Sequence, residues 1–261
     1  MRRNFAEILK TAKIDLLREY TRLYNLFYHS KEVYGITLEA ECKSYFLNMS
    51  FRGTCLSLED FNKTYGFVFE TNPMKFDLNY LVGFCEYTYN LVLYVRETNG
   101  YSYKHLFLQQ MWKVLDLIDY EFIHDDEAGV NILIPRKPEA IAVAEIVDEK
   151  LAYSVLEYNH HSLEGNLAKK KAILKLMADD IELQRKTLNN INKTLANNLF
   201  QMLQKFVRHN NDDNLYIKNL SSKDLENCYD DIYQMWLLAK LEIDNLERKK
   251  RVEEVLKNIN A

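Results

Sequence analysis

The sequence predicts a mainly α-helical protein, a helical bundle with one small β-hairpin. Glycine and proline are scarce, at 7 and 3 of 261 residues, and turns, bulges and sheet corners need these two residue types. Apolar residues recur at steps of three and four along most of the chain, which is the spacing of amphipathic helices. One pair of short segments shows the pattern of a hairpin. Hydrophobic residues make up 48% of the chain, which is enough to fill a sizeable core.

The first half of the chain contains three helical patterns and a looser stretch. Residues 4–29 carry an apolar stripe, so we expect the first helix there. Residues 45–49 are a candidate for a short strand, because the helical spacing weakens there. The capping-box sequence Ser57-Leu58-Glu59-Asp60 then opens a short helix. Helical spacing returns over residues 78–97 and again over residues 102–119.

The hairpin is predicted at about residues 120–134. Two apolar runs there flank the polar loop Asp125-Asp126-Glu127-Ala128-Gly129, which is typical of a hairpin turn. Pro138 suits the first turn of the next helix. A domain boundary near this point separates an N-terminal helical region, residues 1–135, from a C-terminal helical bundle, residues 136–261. One continuous domain is the alternative.

The C-terminal half is helical in pattern throughout. Residues 139–160 are expected to form one helix. The apolar stripe over residues 167–206 is so long that an unbroken helix would span on the order of 60 Å. It therefore either bends near Asp179-Asp180 or extends into a partner subunit. Ser221, three residues before Asp224, marks the start of the final helix.

Composition excludes several functional classes. The formal charge of −4 argues against a generally basic nucleic-acid binder but leaves room for a local basic site. The four cysteines lie far apart without CxxC spacing, so we expect reduced thiols and neither a disulfide framework nor a zinc site. No phosphate loop, HExxH motif or dinucleotide fingerprint occurs, so no cofactor is predicted. Charges interrupt every apolar run, and we expect a cytoplasmic protein without a membrane segment.

The sequence Arg208-His209-Asn210-Asn211 is the main candidate site, because it ends the long apolar stripe just before the final helix. An arginine offers a forked, permanently charged donor for phosphate oxygens. A histidine with a near-neutral pKa can move a proton to or from a ribose hydroxyl. The alternative is structural: basic side chains commonly bind the last carbonyls of a helix, and asparagine tolerates the left-handed conformation where a helix stops.

The layout of this region resembles bacterial abortive-infection-type proteins related to the HEPN superfamily. The resemblance covers residues 140–250 and rests on a long helix ending in Arg208-His209-Asn210-Asn211, followed by a helix with the sequence Cys228-Tyr-Asp-Asp-Ile-Tyr-Gln-Met-Trp236. It implies a dimeric helical bundle that binds RNA and cleaves it without metal. The family signature is Arg, a polar residue, a short spacer and His. Arg208 and His209 match the first two positions and the final His is absent, so either His209 transfers the proton or the site only binds.

Asp230 and Asp231 lie on the final helix, which is expected to pack near the Arg208 turn. A carboxylate at this place can pair with Arg208 or orient His209. The alternative is an ordinary polar face of an amphipathic helix.

Other polar groups are weaker candidates. Arg22 and His29 have the signature spacing, although about one such pair is expected by chance. A metal-binding helix face is conceivable at Glu157, His160, His161 and Glu164, but a solvated helix end explains these residues better. His124-Asp125-Asp126-Glu127 is acidic but lies at the hairpin tip. The basic runs at residues 169–171 and 248–251 are interpreted as solvated surface.

Two function hypotheses follow. The first is a HEPN-like bacterial defence or stress-response protein that forms a homodimer, binds RNA and cleaves it with Arg208 and His209, using Asn210, Asn211, Asp230 and Asp231 to bind or orient the substrate. The second is a non-catalytic helical module that regulates or scaffolds a protein partner. In that case the Arg208 turn is a helix cap.

Overall fold

The structure, a computed structural model, describes residues 15–30, 35–96, 103–208 and 215–259. These residues are mainly helical and include one two-stranded antiparallel hairpin, which confirms the predicted fold class. Within the described ranges, no helix is both long and apolar enough to cross a membrane.

The chain divides into two compact units, residues 1–133 (unit 1) and residues 134–261 (unit 2). The elements of unit 1 are α1 (Leu16–Tyr28), α2 (Leu38–Tyr45), α3 (Leu58–Tyr65), α4 (Leu78–Val92), α5 (Tyr103–Ile118), β1 (Tyr120–Asp125) and β2 (Val130–Pro135), whose last residues cross into unit 2. Side chains that accept a hydrogen bond from the backbone amide three residues on begin four of these helices: Asp15, Thr37, Ser57 and Asp77. Such caps satisfy amides that the first turn leaves unpaired.

The strand considered for residues 45–49 does not form. The segment instead ends α2 and continues as a 3₁₀ turn at Phe46–Asn48. Phe46 and Met49 are both 1% exposed, while Leu47 between them is 61% exposed. A spacing of three between the buried side chains fits a helical turn, whereas a strand would bury every second residue.

Aromatic rings fill the core of unit 1. Tyr20 is fully buried, its ring meets Phe84 edge-on at 5.1 Å between centroids, and its hydroxyl donates to the Glu70 carbonyl at 2.6 Å. Burial raises the pKa of Tyr20 far above its ordinary value. A buried phenol therefore stays protonated and keeps its donor hydrogen for the backbone.

Helix α4 holds the second strand of the hairpin through side-chain bonds. The Asn90 amide nitrogen donates to the Asn131 carbonyl at 2.7 Å, and the Asn90 carbonyl oxygen accepts from the Asn131 backbone amide at 2.8 Å. The Glu86 carboxylate accepts from the Leu133 amide at 2.8 Å. Gly129 closes the turn with φ +65°, a conformation that glycine adopts without strain.

Unit 2 contains the helices α6 (Pro138–Ala144), α7 (Glu149–Glu157), α8 (Leu167–Glu182), α9 (Arg185–Ile191), α10 (Lys193–Met202), α11 (Leu215–Lys218) and α12 (Ser222–Ile259). A π-helical segment, Leu203–Arg208, follows α10. The single helix expected over residues 139–160 is wrong, because Asp148 starts a new helix by accepting a hydrogen bond from the Leu151 amide at 3.1 Å.

The long stripe over residues 167–206 is also divided into several helices. Helix α8 continues through Asp179-Asp180 and ends at Glu182, so the break lies a few residues beyond the expected bend. Asn192 makes a second break, because its side chain accepts from the Leu195 amide at 3.0 Å and starts α10. The apolar residues keep their helical spacing across both breaks, because each new helix packs its apolar face against the same core.

Trp236 lies at the centre of the unit 2 core. Its side chain is 0% exposed, and its indole nitrogen donates to the Met177 carbonyl of α8 at 2.9 Å. Tyr233, one turn earlier on α12, donates to the Val155 carbonyl of α7 at 2.8 Å and stacks on the Tyr158 ring at 4.1 Å between centroids. Helix α12 therefore joins α7 and α8 through both packing and hydrogen bonds.

Candidate functional site

Arg208 is bound to the end of α8. Its guanidinium donates to the Glu182 carboxylate at 2.9 Å and to the Ala178 carbonyl at 3.0 Å, and lies 3.6 Å from the Asp179 carboxylate. The side chain is 31% exposed. A cation at the C-terminal end of a helix interacts favourably with the unpaired carbonyls there. Arg208 therefore binds the last turn of α8 through the Glu182 carboxylate and the Ala178 carbonyl.

Glu182 joins Arg208 to a second arginine. Arg185 donates to the same carboxylate through two nitrogens, at 2.6 and 3.1 Å. Hydrogen bonds from Arg185 and then from Arg208 hold the pKa of the Glu182 carboxyl below its ordinary value. Two guanidinium groups therefore share the Glu182 carboxylate, and the Asp179 carboxylate lies near Arg208 as a second anion.

A cavity of about 400 Å³ opens beside this cluster. Arg185 and Lys205 contribute positive charge, and the Arg185 guanidinium lies 3.8 Å from the centroid of the Phe200 ring. The cavity is also lined by the amide side chains of Asn189, Asn197, Gln201 and Gln204. The Phe200 ring is 6% exposed and lies against the Arg185 guanidinium, so the cavity offers cations and amides, which proteins use to contact the backbone and bases of nucleic acids.

The described residues include only the first member of the predicted tetrapeptide. His209, Asn210 and Asn211 lie outside the described ranges, so proton transfer by His209 and substrate binding by the two asparagines stay predictions. Asp230 and Asp231 of the final helix were one of two open interpretations as partners of Arg208, and the bonded carboxylate in the structure is Glu182 of α8. Glu182 lies 26 residues before Arg208 in the chain, and the sequence holds no local signal for that contact.

Asp230 belongs to a second charged cluster. Its carboxylate accepts from the Tyr158 hydroxyl at 3.0 Å and from Lys170 at 2.8 Å, and Lys170 also binds the Glu226 carboxylate at 2.8 Å. Asp231 is exposed on α12. Lys170 is 7% exposed, so the interpretation of residues 169–171 as solvated surface is wrong for its middle member.

The weaker candidates are engaged in local contacts. Arg22 pairs with Glu19 at 2.7 Å, and His29 follows the last turn of α1. Glu157 forms an ion pair with Lys169. His160 accepts from the Ser162 amide at 3.2 Å and so caps the short 3₁₀ turn His161–Leu163.

Neither a protein-family model, a curated protein nor a solved structure matches this chain. Inference about function therefore rests on the chemistry of the Arg208 cluster and its cavity, together with the resemblance described above.

Proposed function

We propose that unit 2 binds single-stranded RNA in the cavity between Arg185 and Lys205, as part of a HEPN-like bacterial defence or stress-response protein. The observation that carries the proposal is the combination of cationic and amide side chains in one cavity, whose Arg185 shares the Glu182 carboxylate with Arg208. Phosphates would contact Lys205 and Arg185, and a base would lie against the amides. Arg208 has five N–H donors, and its two described hydrogen bonds use two of them.

Replacing the exposed Lys205 with alanine is expected to weaken binding of a fluorescent single-stranded RNA about threefold to tenfold at low salt. Loss of one phosphate contact should also reduce the slope of log affinity against log salt by about 0.7. Fluorescence anisotropy at several salt concentrations measures both quantities. Lys175→Ala is the matched control, because Lys175 is an exposed lysine of α8 that does not line the cavity. Equal losses in the two variants, or no salt-dependent binding by the unchanged chain, would contradict the proposed site.

RNA cleavage is the further step of the same proposal. By the resemblance, a ribose 2′-hydroxyl attacks the neighbouring phosphate, leaving a cyclic phosphate and a 5′-hydroxyl, while His209 moves the proton. Cleavage that persists in a chelator and stops in His209→Ala supports this step. Arg208→Ala is less informative, because it also breaks the ion pair with Glu182. Intact RNA after incubation with the unchanged chain contradicts cleavage. RNA binding in the cavity is then tested by the Lys205→Ala experiment alone.

A specific observation also supports the homodimer that is part of this proposal. Helix α12 continues past its last buried residue, Ile243, and residues 247–259 are all exposed. Four apolar side chains of this stretch, Val252, Val255, Leu256 and Ile259, are between 51% and 72% exposed. They follow steps of three and four, which places them on one helix face.

A second copy of the chain is the partner that this face fits. In an antiparallel pair with its two-fold axis between Val255 and Leu256, Val252 meets Ile259 and Val255 meets Leu256. The stripe is therefore complementary to itself, as a two-fold interface requires. A parallel pair would instead place the basic run at residues 248–251 beside its own copy, and like charges repel at that distance.

The double substitution Val252→Glu and Leu256→Glu is expected to shift the chain from dimer to monomer. Two carboxylates on each stripe would lie in the contact without a partner, at a cost of several kcal/mol. Sedimentation equilibrium at micromolar concentrations measures the change. Glu253→Gln, which lies off the stripe, serves as the control. A chain that sediments as a monomer before substitution, or as an unchanged dimer after it, rules out this contact.

A further inference from the structure

Unit 1 contains an aromatic cavity that the proposed function does not use. Its volume is about 300 Å³, within the size range of small-molecule sites. Five aromatic rings line it: Phe51, Phe61, Tyr65, Phe67 and Tyr87. They come from a second 3₁₀ turn, Ser50–Arg52, from α3, from the segment after α3 and from α4. The tertiary fold, and not one local motif, therefore brings them together.

The rings form a connected wall. Phe67 stacks on Phe61 at 5.4 Å between centroids with planes 13° apart, and it meets Tyr87 at 5.0 Å. Phe61 also contacts Tyr65 at 4.7 Å. Tyr87 is fixed by its hydroxyl, which donates to the Asn62 side chain at 2.9 Å. Rings held by one another and by hydrogen bonds need little reorganisation when a ligand enters.

The polar part of the cavity is acidic. Glu86 lines it together with the bonded amides Asn90 and Asn131. Among the described lining residues, none is a lysine, arginine or histidine. The Glu86 carboxylate also accepts from the Leu133 amide at 2.8 Å, and Asn90 donates to the Glu86 carbonyl at 2.9 Å. These bonds fix the acidic residue at the edge of the aromatic wall.

The geometry points to a small organic cation, an alkylated ammonium group, as the ligand of this cavity. Ring faces attract a cation because the π-system is negative on its face. A quaternary ammonium has no N–H to satisfy, so aromatic faces can replace its water without hydrogen-bonding groups. A carboxylate beside the rings adds charge attraction. A nucleotide fits poorly, since its phosphates and the Glu86 carboxylate are both anionic.

The affinities for choline and for its neutral isostere 3,3-dimethylbutan-1-ol distinguish a cation site from a general apolar site. Both have the same branched head, and only choline carries charge. We expect isothermal titration of the full chain to show choline binding in the millimolar range or tighter, at least about fivefold tighter than the alcohol. Equal affinities for the two probes, or no choline binding at high millimolar concentration, would overturn the inference.

Three variants locate the site. Tyr65 is 55% exposed, so Tyr65→Ala should leave the core packed and weaken choline about fivefold, while Tyr65→Phe keeps the ring and the affinity. Glu86→Gln retains an oxygen for the Leu133 amide. It should weaken choline binding without changing the affinity for the alcohol. Choline affinity that is unchanged in both Tyr65→Ala and Glu86→Gln places the cation elsewhere and contradicts the proposal. None of these outcomes depends on RNA binding by unit 2.

Discussion

Trp236→Ala is expected to lower the free energy of unfolding of unit 2 by about 3–5 kcal/mol, the usual cost of removing a buried tryptophan side chain. The ring is fully buried, and its indole nitrogen donates from α12 to the Met177 carbonyl of α8. The substitution leaves both a large cavity and a buried carbonyl without its donor. Urea unfolding followed by far-ultraviolet circular dichroism measures the loss.

Trp236→Phe separates the two contributions to that loss. The smaller ring keeps most of the apolar packing and removes the indole N–H, so a cost of about 1–3 kcal/mol is expected. If Trp236→Ala costs less than about 1 kcal/mol, the ring does not occupy the centre of the unit 2 core.

Lys170→Met should have the second-largest effect, and this effect should depend on pH. The Lys170 ammonium lies 2.8 Å from both the Asp230 and Glu226 carboxylates. Removing one partner of a buried ion pair costs about 3–5 kcal/mol. We expect roughly 2–3 kcal/mol, because the Asp230 side chain is 47% exposed and solvent screens the charge that is left. Methionine keeps the apolar stem of the side chain.

The pH dependence follows from the direction of two pKa shifts. The hydrogen bond from Lys170 lowers the pKa of Glu226 below its ordinary value of 4.5. Stability from this contact is therefore fully present above about pH 4.5 and is lost as the pH falls through the folded pKa. Burial alone would lower the pKa of Lys170, but the hydrogen bonds that its ammonium donates to Asp230 and Glu226 raise it above 10.5, so the lysine stays charged through neutral pH.

The difference in unfolding free energy between the unchanged chain and Lys170→Met should thus be largest near pH 7 and shrink towards pH 3. Chemical unfolding at a series of pH values measures it. Lys175→Met, on the exposed face of the same helix, provides the control and should stay within about 0.5 kcal/mol at every pH. A difference that is constant from pH 7 to pH 3 would show that the contact contributes packing and no electrostatic stabilisation.

The helices and the hairpin were predictable because their signals are local. Apolar spacing, a Ser57 cap and a Gly-containing loop each act within a few residues. The breaks at Asp148 and Asn192 also have local signals, since both residue types favour the start of a helix. The apolar spacing alone does not indicate these breaks, because a new helix can place its apolar residues against the same core as the helix before it.

The unpredicted features depend on contacts between distant parts of the chain. Lys170 is buried only because Asp230 and Glu226 approach it from α12. Glu182 meets Arg208 only because α8 and the π segment pack together. The aromatic cavity of unit 1 draws on residues 51–67, a stretch where the sequence showed no chemical pattern. No spacing rule describes a site whose aromatic rings come from four separate segments.

The bonds between α4 and β2 also affect how the chain behaves at high concentration. A two-stranded sheet has outer backbone edges that can template strands of other molecules, and exposed edges of this kind promote amyloid-like aggregation. The Asn131 amide and carbonyl and the Leu133 amide are already bonded to Asn90 and Glu86. A foreign strand would have to displace these side chains to pair there, so α4 protects the β2 edge of the hairpin from recruitment into fibrils.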